Sequence, residues 1–178
     1  MSVTNRHFPV NKLSNDSGFT LIELMITVSI AAILLGIAIP SFTSTITSNR
    51  LTTNANELVT ALNLARSEAI KRGVPVTVGS KAATTNWEGG WDVFIDVNGN
   101  NIYNAGTDTS LRTYAGLPNG YTLRTGTSVF QTYSPTGLNT VVAGDTFKLC
   151  SGSGTTQRTI TISPTGRPSV AETTGTCP

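Results

Sequence analysis

Residues 17–42 read SGFTLIELMITVSIAAILLGIAIPSF, and this stretch decides what the remainder of the chain must be. From Leu21 to Ile39 the only ionisable side chain is Glu23. Nineteen residues at about 1.5 Å each nearly cross a hydrocarbon layer of ~30 Å. The apolar side chains fall on every face, unlike the single stripe of a surface helix in a globular protein. A cleavable secretory signal has an apolar stretch of only ~7–15 residues, with its small-residue site after that stretch. Here the small residues, Ser17 and Gly18, stand before it. A plain single-span anchor fits the length but leaves Glu23 unexplained. An acid in lipid costs on the order of 3 kcal/mol or more, so Glu23 calls for a positive partner.

On the N-terminal side, Arg6 and Lys12 favour keeping residues 1–18 in the cytoplasm. On the C-terminal side, Gly36 and Pro40 weaken the helix and predict a bend there rather than a stop. Helical patterning resumes with Leu51, Ala55, Leu58, Leu62, Ala65 and Ala69, spaced by four and three as one apolar stripe. Lys71-Arg72-Gly73 is a C-terminal signal, basic residues followed by a capping glycine. The expectation is one helix over 19–72, its part at about 21–41 in the membrane. From Val74 the pattern changes to short β-branched runs: Val74–Gly79, Trp91–Val97, Leu111–Ala115, Tyr121–Arg124, Val129–Tyr133, Thr146–Cys150 and Gln157–Ser163. Turns such as Asn98-Gly99, Asn119-Gly120 and Pro135-Thr136-Gly137 separate them. Helix first and strands afterwards predicts an α+β fold, the helix packed on an antiparallel sheet or β-sandwich head over 73–178. No internal repeat and no interdomain linker is expected.

Gly18-Phe19-Thr20-Leu21-Ile22-Glu23 followed by an apolar run resembles the start of type IV pilins and type II secretion pseudopilins. The resemblance implies that a membrane prepilin peptidase removes residues 1–18 by cutting after Gly18, and that the amine of Phe19 is methylated. It implies that Glu23 pairs with the methylated amine of a neighbouring subunit during assembly, which supplies the positive partner. Asn63 to Arg72 followed by Val74–Val78, and Trp91-Asp92-Val93-Phe94-Ile95-Asp96-Val97-Asn98-Gly99-Asn100, resemble the GspH/FimT subgroup. The likeness covers about the first hundred residues in detail and the remainder mainly in architecture. It implies a single-pass protein of the inner membrane with a periplasmic head. The protein would join a pilus or pseudopilus near its tip, and its partners would be other pilins or pseudopilins.

Removing residues 1–18 takes away Arg6, Lys12 and Asp16 and leaves ten basic and nine acidic residues. A nearly neutral chain sets up no global field towards nucleic acid. In an exported head the cysteines, Cys150 and Cys177, read as one disulfide fastening the C-terminus, the alternative being two free thiols. Such a loop is worth roughly 3–4 kcal/mol.

No cofactor and no enzymatic activity are expected. The only histidine, His7, lies in the leader, and no nucleophile–base set or phosphate loop is present. Asp96-Val97-Asn98-Gly99-Asn100-Asn101 alternates oxygen side chains as calcium loops do. Asn101 stands where a glycine belongs and Thr107 where the bidentate acid belongs, so the expectation is a plain turn without metal. Gly166-Arg167 resembles the C-terminal Gly-Arg motif of FimT proteins, which bind DNA during natural transformation. Their second arginine is replaced here by Ser169. A DNA-binding reading would use Arg167 with Arg158 and Lys148 on adjacent strands. Against it stands a turn with one exposed arginine. The expectation is a minor pilin or pseudopilin that helps initiate assembly, with DNA uptake and type II protein export as alternatives.

Overall fold

The computed structural model describes residues 18–141, 145–152 and 156–177. The segment expected to be a leader, apart from Gly18, lies outside them. The elements in chain order are α1 (Leu21–Arg72), β1 (Val76–Ser80), β2 (Trp91–Ile95), β3 (Thr109–Tyr114) and β4 (Tyr121–Thr125). They continue with β5 (Phe130–Tyr133), β6 (Thr146–Ser151), β7 (Thr156–Ile162) and β8 (Pro168–Thr174). The chain divides into two compact units, Met1–Phe42 and Thr43–Pro178.

In the first unit the helix is exposed along its whole length apart from the half-buried Ala38. It is long and apolar enough to cross a membrane. Thr20 begins it as an N-cap: its Oγ1 accepts the Glu23 N–H at 3.3 Å and its carbonyl accepts the Leu24 N–H at 3.2 Å. The side chain thereby satisfies one otherwise orphaned donor of the first turn, and the carbonyl takes the first intrahelical bond. The helix runs unbroken through Pro40.

In the second unit the helix buries Leu51, Ala55, Leu58, Ala61, Leu62, Ala65 and Ala69. The stripe continues the spacing read from the sequence and adds Ala61. Alanine at four of the seven positions leaves room for strands to approach the helix axis closely. The helix stops where Gly73 turns left-handed at φ 68° and donates its N–H to the Ala69 carbonyl at 3.0 Å, an αL cap.

The strands form two four-stranded antiparallel sheets, β3-β2-β1-β5 and β4-β6-β7-β8. Side chains from both sheets and the helix stripe make one buried cluster. Its aromatic members are Trp87, Trp91, Tyr114, Tyr133 and Phe147. Trp87 meets Phe147 edge-on at 4.9 Å, and Trp91 stacks on Tyr114 at 5.5 Å, both favoured aromatic geometries.

Three differences from the sequence expectation have local causes. β1 starts at Val76 rather than Val74, because Pro75 has no N–H for the ladder. β2 ends at Ile95 because Asp96 turns the chain: its carboxylate accepts the N–H groups of Gly99 and Asn101 at 2.8 and 2.7 Å. The tail expected to be held mainly by the disulfide is instead the strand β8, paired with β7 over seven residues. Its side chains are mostly exposed, so no apolar alternation marks it.

The sequence Ser-Pro-Thr-Gly occurs twice, at 134–137 and 163–166, and each copy folds into the same turn. Gly137 N–H reaches the Ser134 carbonyl and Gly166 N–H the Ser163 carbonyl, both at 2.8 Å. The two turns stack. Gly166 sits at φ 79°, and a Cβ there would meet the Gly137 carbonyl oxygen at 2.7 Å and a Tyr133 ring carbon at 3.0 Å. Arg66 Nε of the helix donates to that same Gly137 oxygen at 2.9 Å.

Gly166→Ala is therefore expected to lose about 2–4 kcal/mol of stability, from backbone strain and steric overlap together. Thermal unfolding of the full chain in detergent checks this. Gly152 is the control: it also has positive φ, at 56°, but open space around it, and alanine there should cost only about 1 kcal/mol.

Tyr133 gives a pH dependence. Burial pushes its hydroxyl up to about 12, against about 10 in an unfolded chain. The folded state therefore holds this proton over a range in which the unfolded state has lost it. Its contribution is complete below pH ~10 and is lost as pH rises towards ~12. Tyr133→Phe should flatten the alkaline fall in stability between these values, as read from denaturant midpoints across that range.

Candidate functional site

Gly18 and Phe19 precede the helix and are exposed, Phe19 by 84%. A Cβ on Gly18 would meet nothing within 4 Å. The fold thus places no demand for glycine at this position. Five residues on, Glu23 occupies the third helical position, N3, after the Thr20 cap. The cap and the acid together form the Thr-x-x-Glu pattern of a capping box. An acidic side chain there also complements the partial positive charge of the helix start. Among the described residues no salt bridge involves Glu23.

In the head, Cys150 and Cys177 form a disulfide with an S–S distance of 2.03 Å and Cα atoms 5.9 Å apart. Cys150 is on β6, and Cys177 follows β8. The bond therefore fastens the end of the edge strand β8 to a strand two places away in the sheet.

The basic residues named for a DNA-binding reading are not assembled. Arg158 pairs in register with Leu149, and Lys148 with Thr159. Side chains alternate along a strand, so Arg158 shares the core face with Leu149 while Lys148 points to the other face. Arg158 is buried. Its Nη2 donates to Ser48 Oγ at 2.9 Å and Thr52 Oγ1 at 3.3 Å. Its Nη1 lies 2.9 Å from Glu172 Oε2, off hydrogen-bond alignment.

Arg167 is exposed in the β7–β8 turn, where its N–H donates to Ser163 Oγ and its carbonyl accepts the Ser163 N–H. Arg158 stands opposite Glu172, four register steps from the Ile162–Pro168 pair beside the turn, or about 13 Å along the strands. This corrects the grouping of Arg158, Lys148 and Arg167. A β-branched strand pattern locates an arginine on a strand but leaves its face open.

The Asp96 loop is closed by its own backbone. Besides the Asp96 bonds, Asp108 Oδ1 accepts the Val97 N–H at 3.0 Å and Oδ2 accepts the Asn104 N–H at 2.7 Å. Both acids thus serve as turn acceptors. Among the described residues no cluster of three or more His, Cys, Asp or Glu side chains could hold a metal ion.

Sequence reading missed three features. The Thr20 cap was legible as Thr-x-x-Glu, and the stacked turns as a repeated tetrapeptide. The pairing of Arg158 with helix hydroxyls had no sequence signal.

An exposed apolar helix with an acid in its first turn, continued by a half that packs on antiparallel sheets, defines a pilin-like subunit. The comparisons with known proteins agree. The Prokaryotic N-terminal methylation motif matches residues 13–39, and the family described as Type II transport protein GspH matches residues 54–166. The chain belongs to this GspH family of type IV pilin-like proteins. It is 36% identical over 93 residues to the pilin-like protein PilA1 of Thermus thermophilus, an alignment covering 51% of this chain and 55% of the relative. The chain thus spans just over half the length of that relative. Two crystal forms of the type IV minor pilin FimU from Pseudomonas aeruginosa share the fold. Their TM-scores are 0.60 and 0.57 at 23% identity, over 70% and 68% of this chain and 90% and 92% of theirs.

The different roles of the basic residues are measurable. Arg158→Ala should cost about 2–4 kcal/mol, since it removes a buried hydrogen-bonding charge and leaves its partners unsatisfied. Lys148→Ala and Arg167→Ala should stay within about 0.5 kcal/mol of the parent. Parallel denaturant titrations of the three variants check this.

Proposed function

We propose that this chain is a minor structural subunit of a type IV pilus or of the related type II secretion pseudopilus. It is loaded into the filament from the inner membrane and carries out no catalysis. The observation that carries this reading is Glu23, in the first turn of a helix whose apolar surface up to Phe42 has no cover among the described residues. Such a surface is stable only in lipid or against other apolar helices. The acid gives the packed state a specific register, because it must find a cation. A methylated Phe19 amine of the next subunit, set free by cleavage after Gly18, is the cation of matching position.

Processing by a prepilin peptidase is supported by Gly18 itself, a glycine that the fold leaves without a structural task. The free energy that orders the filament would come from helix–helix packing, with the Glu23 pair setting the axial step. Cys150–Cys177 and the stacked turns keep the head rigid, as suits a surface that selects other minor pilins or pseudopilins near the tip. The DNA-uptake reading gains less support, since only Lys148 and Arg167 of its three cations are exposed, on separate parts of the sheet.

Glu23→Ala or Glu23→Val should be processed normally yet fail to enter filaments. The two steps are read as the mobility shift of the mature band and as the protein content of sheared filaments. Normal incorporation of either variant would sink the assembly reading. Gly18→Leu should leave the precursor uncut, visible as a single slower band.

A further inference from the structure

Asn-Gly pairs stand at two exposed turns of the head, Asn98-Gly99 after β2 and Asn119-Gly120 just before β4. Asparagine is a thermolabile residue, and a following glycine makes it most so. The glycine amide nitrogen, once deprotonated, can attack the side-chain carbonyl carbon of the asparagine and close a five-membered succinimide ring. Glycine has no Cβ to stand in the way. The two pairs are equally exposed by residue, yet the fold treats them differently.

At Asn98 both reacting groups are held. The attacking nitrogen would be that of Gly99, whose N–H donates to Asp96 Oδ1 at 2.8 Å. A carboxylate acceptor stabilises the N–H and opposes loss of its proton. The Asn98 carboxamide is fixed as well. Its Oδ1 accepts the Asn100 N–H at 3.1 Å, and its Nδ2 donates to Asn104 Oδ1 at 2.9 Å. Asn104 is in turn anchored through its own N–H to Asp108 Oδ2 at 2.7 Å. Ring closure at Asn98 therefore requires hydrogen bonds to break first, one of them to a charged group.

At Asn119 these restraints are missing. The turn is closed by the Tyr121 N–H on the Pro118 carbonyl at 3.2 Å. Among the described residues neither the Asn119 side chain nor the Gly120 N–H makes a hydrogen bond. The space around Gly120 is open: a Cβ there would meet nothing within 4 Å.

We propose that Asn119 is a site of spontaneous deamidation to aspartate and isoaspartate, and that the Asp96 loop protects the same dipeptide at Asn98-Gly99. The Gly120 nitrogen gives its proton to solvent base and forms a bond to Asn119 Cγ. The bond from Cγ to the side-chain nitrogen breaks, and ammonia leaves after taking a proton from water. Water then opens the succinimide. Addition at Cγ restores the chain with an aspartate, whereas addition at the backbone carbonyl carbon leaves the chain running through the side chain as isoaspartate. Either product adds one negative charge to the head. Isoaspartate also lengthens the backbone of a turn that is tied to the next one, since the Gly120 carbonyl accepts the Gly152 N–H at 2.6 Å.

The test keeps the full chain in detergent in mildly alkaline buffer and maps its tryptic peptides by mass spectrometry over time. Cleavage after Arg112 and Arg124 isolates residues 113–124, in which Asn119 is the only asparagine. Fragmentation assigns any change among the asparagines of residues 82–112. Conversion at Asn119 is expected about tenfold or more faster than at Asn98, because a hydrogen bond to a carboxylate adds to the barrier at Asn98. Chromatography should separate both aspartate and isoaspartate forms of the Asn119 peptide. Asp96→Asn should speed conversion at Asn98 and leave Asn119 unchanged, while Gly120→Ala should slow Asn119. In the chain unfolded by guanidinium the two rates should converge.

No conversion at Asn119, or equal rates at the two sites in the folded chain, overturns the proposal. A difference that persists in guanidinium also overturns it, assigning the selectivity to flanking sequence rather than to the fold. Aspartate as the sole product at Asn119 would mean direct hydrolysis and sink the succinimide route. An unchanged Asn98 rate in Asp96→Asn removes the protective role of the loop.

Discussion

One continuous helix has to satisfy two environments, and the division between them governs this protein. Up to Phe42 its apolar side chains point in every direction and stay exposed. From Leu51 they narrow to a single stripe that the sheets cover. The first pattern cannot be hidden by one small β-rich head, because covering a helix on all sides needs neighbours all round it. The second pattern needs only one partner surface, and the chain supplies it. The same backbone geometry thus produces an unfinished surface and a finished one, and the unfinished surface forces association with lipid or with other helices.

Within that apolar surface Glu23 is the one group that resists indifferent packing. Apolar helices slide and rotate against each other at little cost, since any arrangement buries similar area. A buried carboxylate without a cation is far more expensive than a lost methyl contact. It therefore excludes nearly all the arrangements that the apolar residues would tolerate. Thr20 contributes by fixing where the helix begins, so that the acid stands at a set distance from Phe19.

The large features were legible in the sequence because periodicity and turn chemistry report burial directly. The helix stripe, seven of the eight strands and the chain positions of the cysteines all follow from such signals. β8 escaped because an edge strand with exposed side chains has no reason to alternate: Ser169, Val170, Ala171 and Glu172 are held by backbone pairing to β7 rather than by burial. Arg158 escaped for a related reason. A sequence shows a charge on a strand, and solvent is its ordinary destination. Burial here depends on Ser48 and Thr52, more than a hundred residues away, together with Glu172 on the neighbouring strand.

The Gly166-Arg167 pair shows how a short motif divides between fold and function. Gly166 is explained entirely by packing: its positive φ and its approach to the Gly137 oxygen admit no side chain. Its counterpart in the first Ser-Pro-Thr-Gly copy is similarly confined, since a Cβ on Gly137 would meet Ile70 at 2.8 Å. Because both glycines serve the stacked turns, glycine at 166 carries no information about a ligand. What remains of the motif is Arg167, whose backbone closes the β7–β8 turn through Ser163 while its side chain projects into solvent. A single exposed cation on a tight turn makes at most one or two phosphate contacts, which salt readily weakens. The turn is therefore first a structural clamp that joins the second sheet to the Gly137 turn and, through Arg66, to the helix.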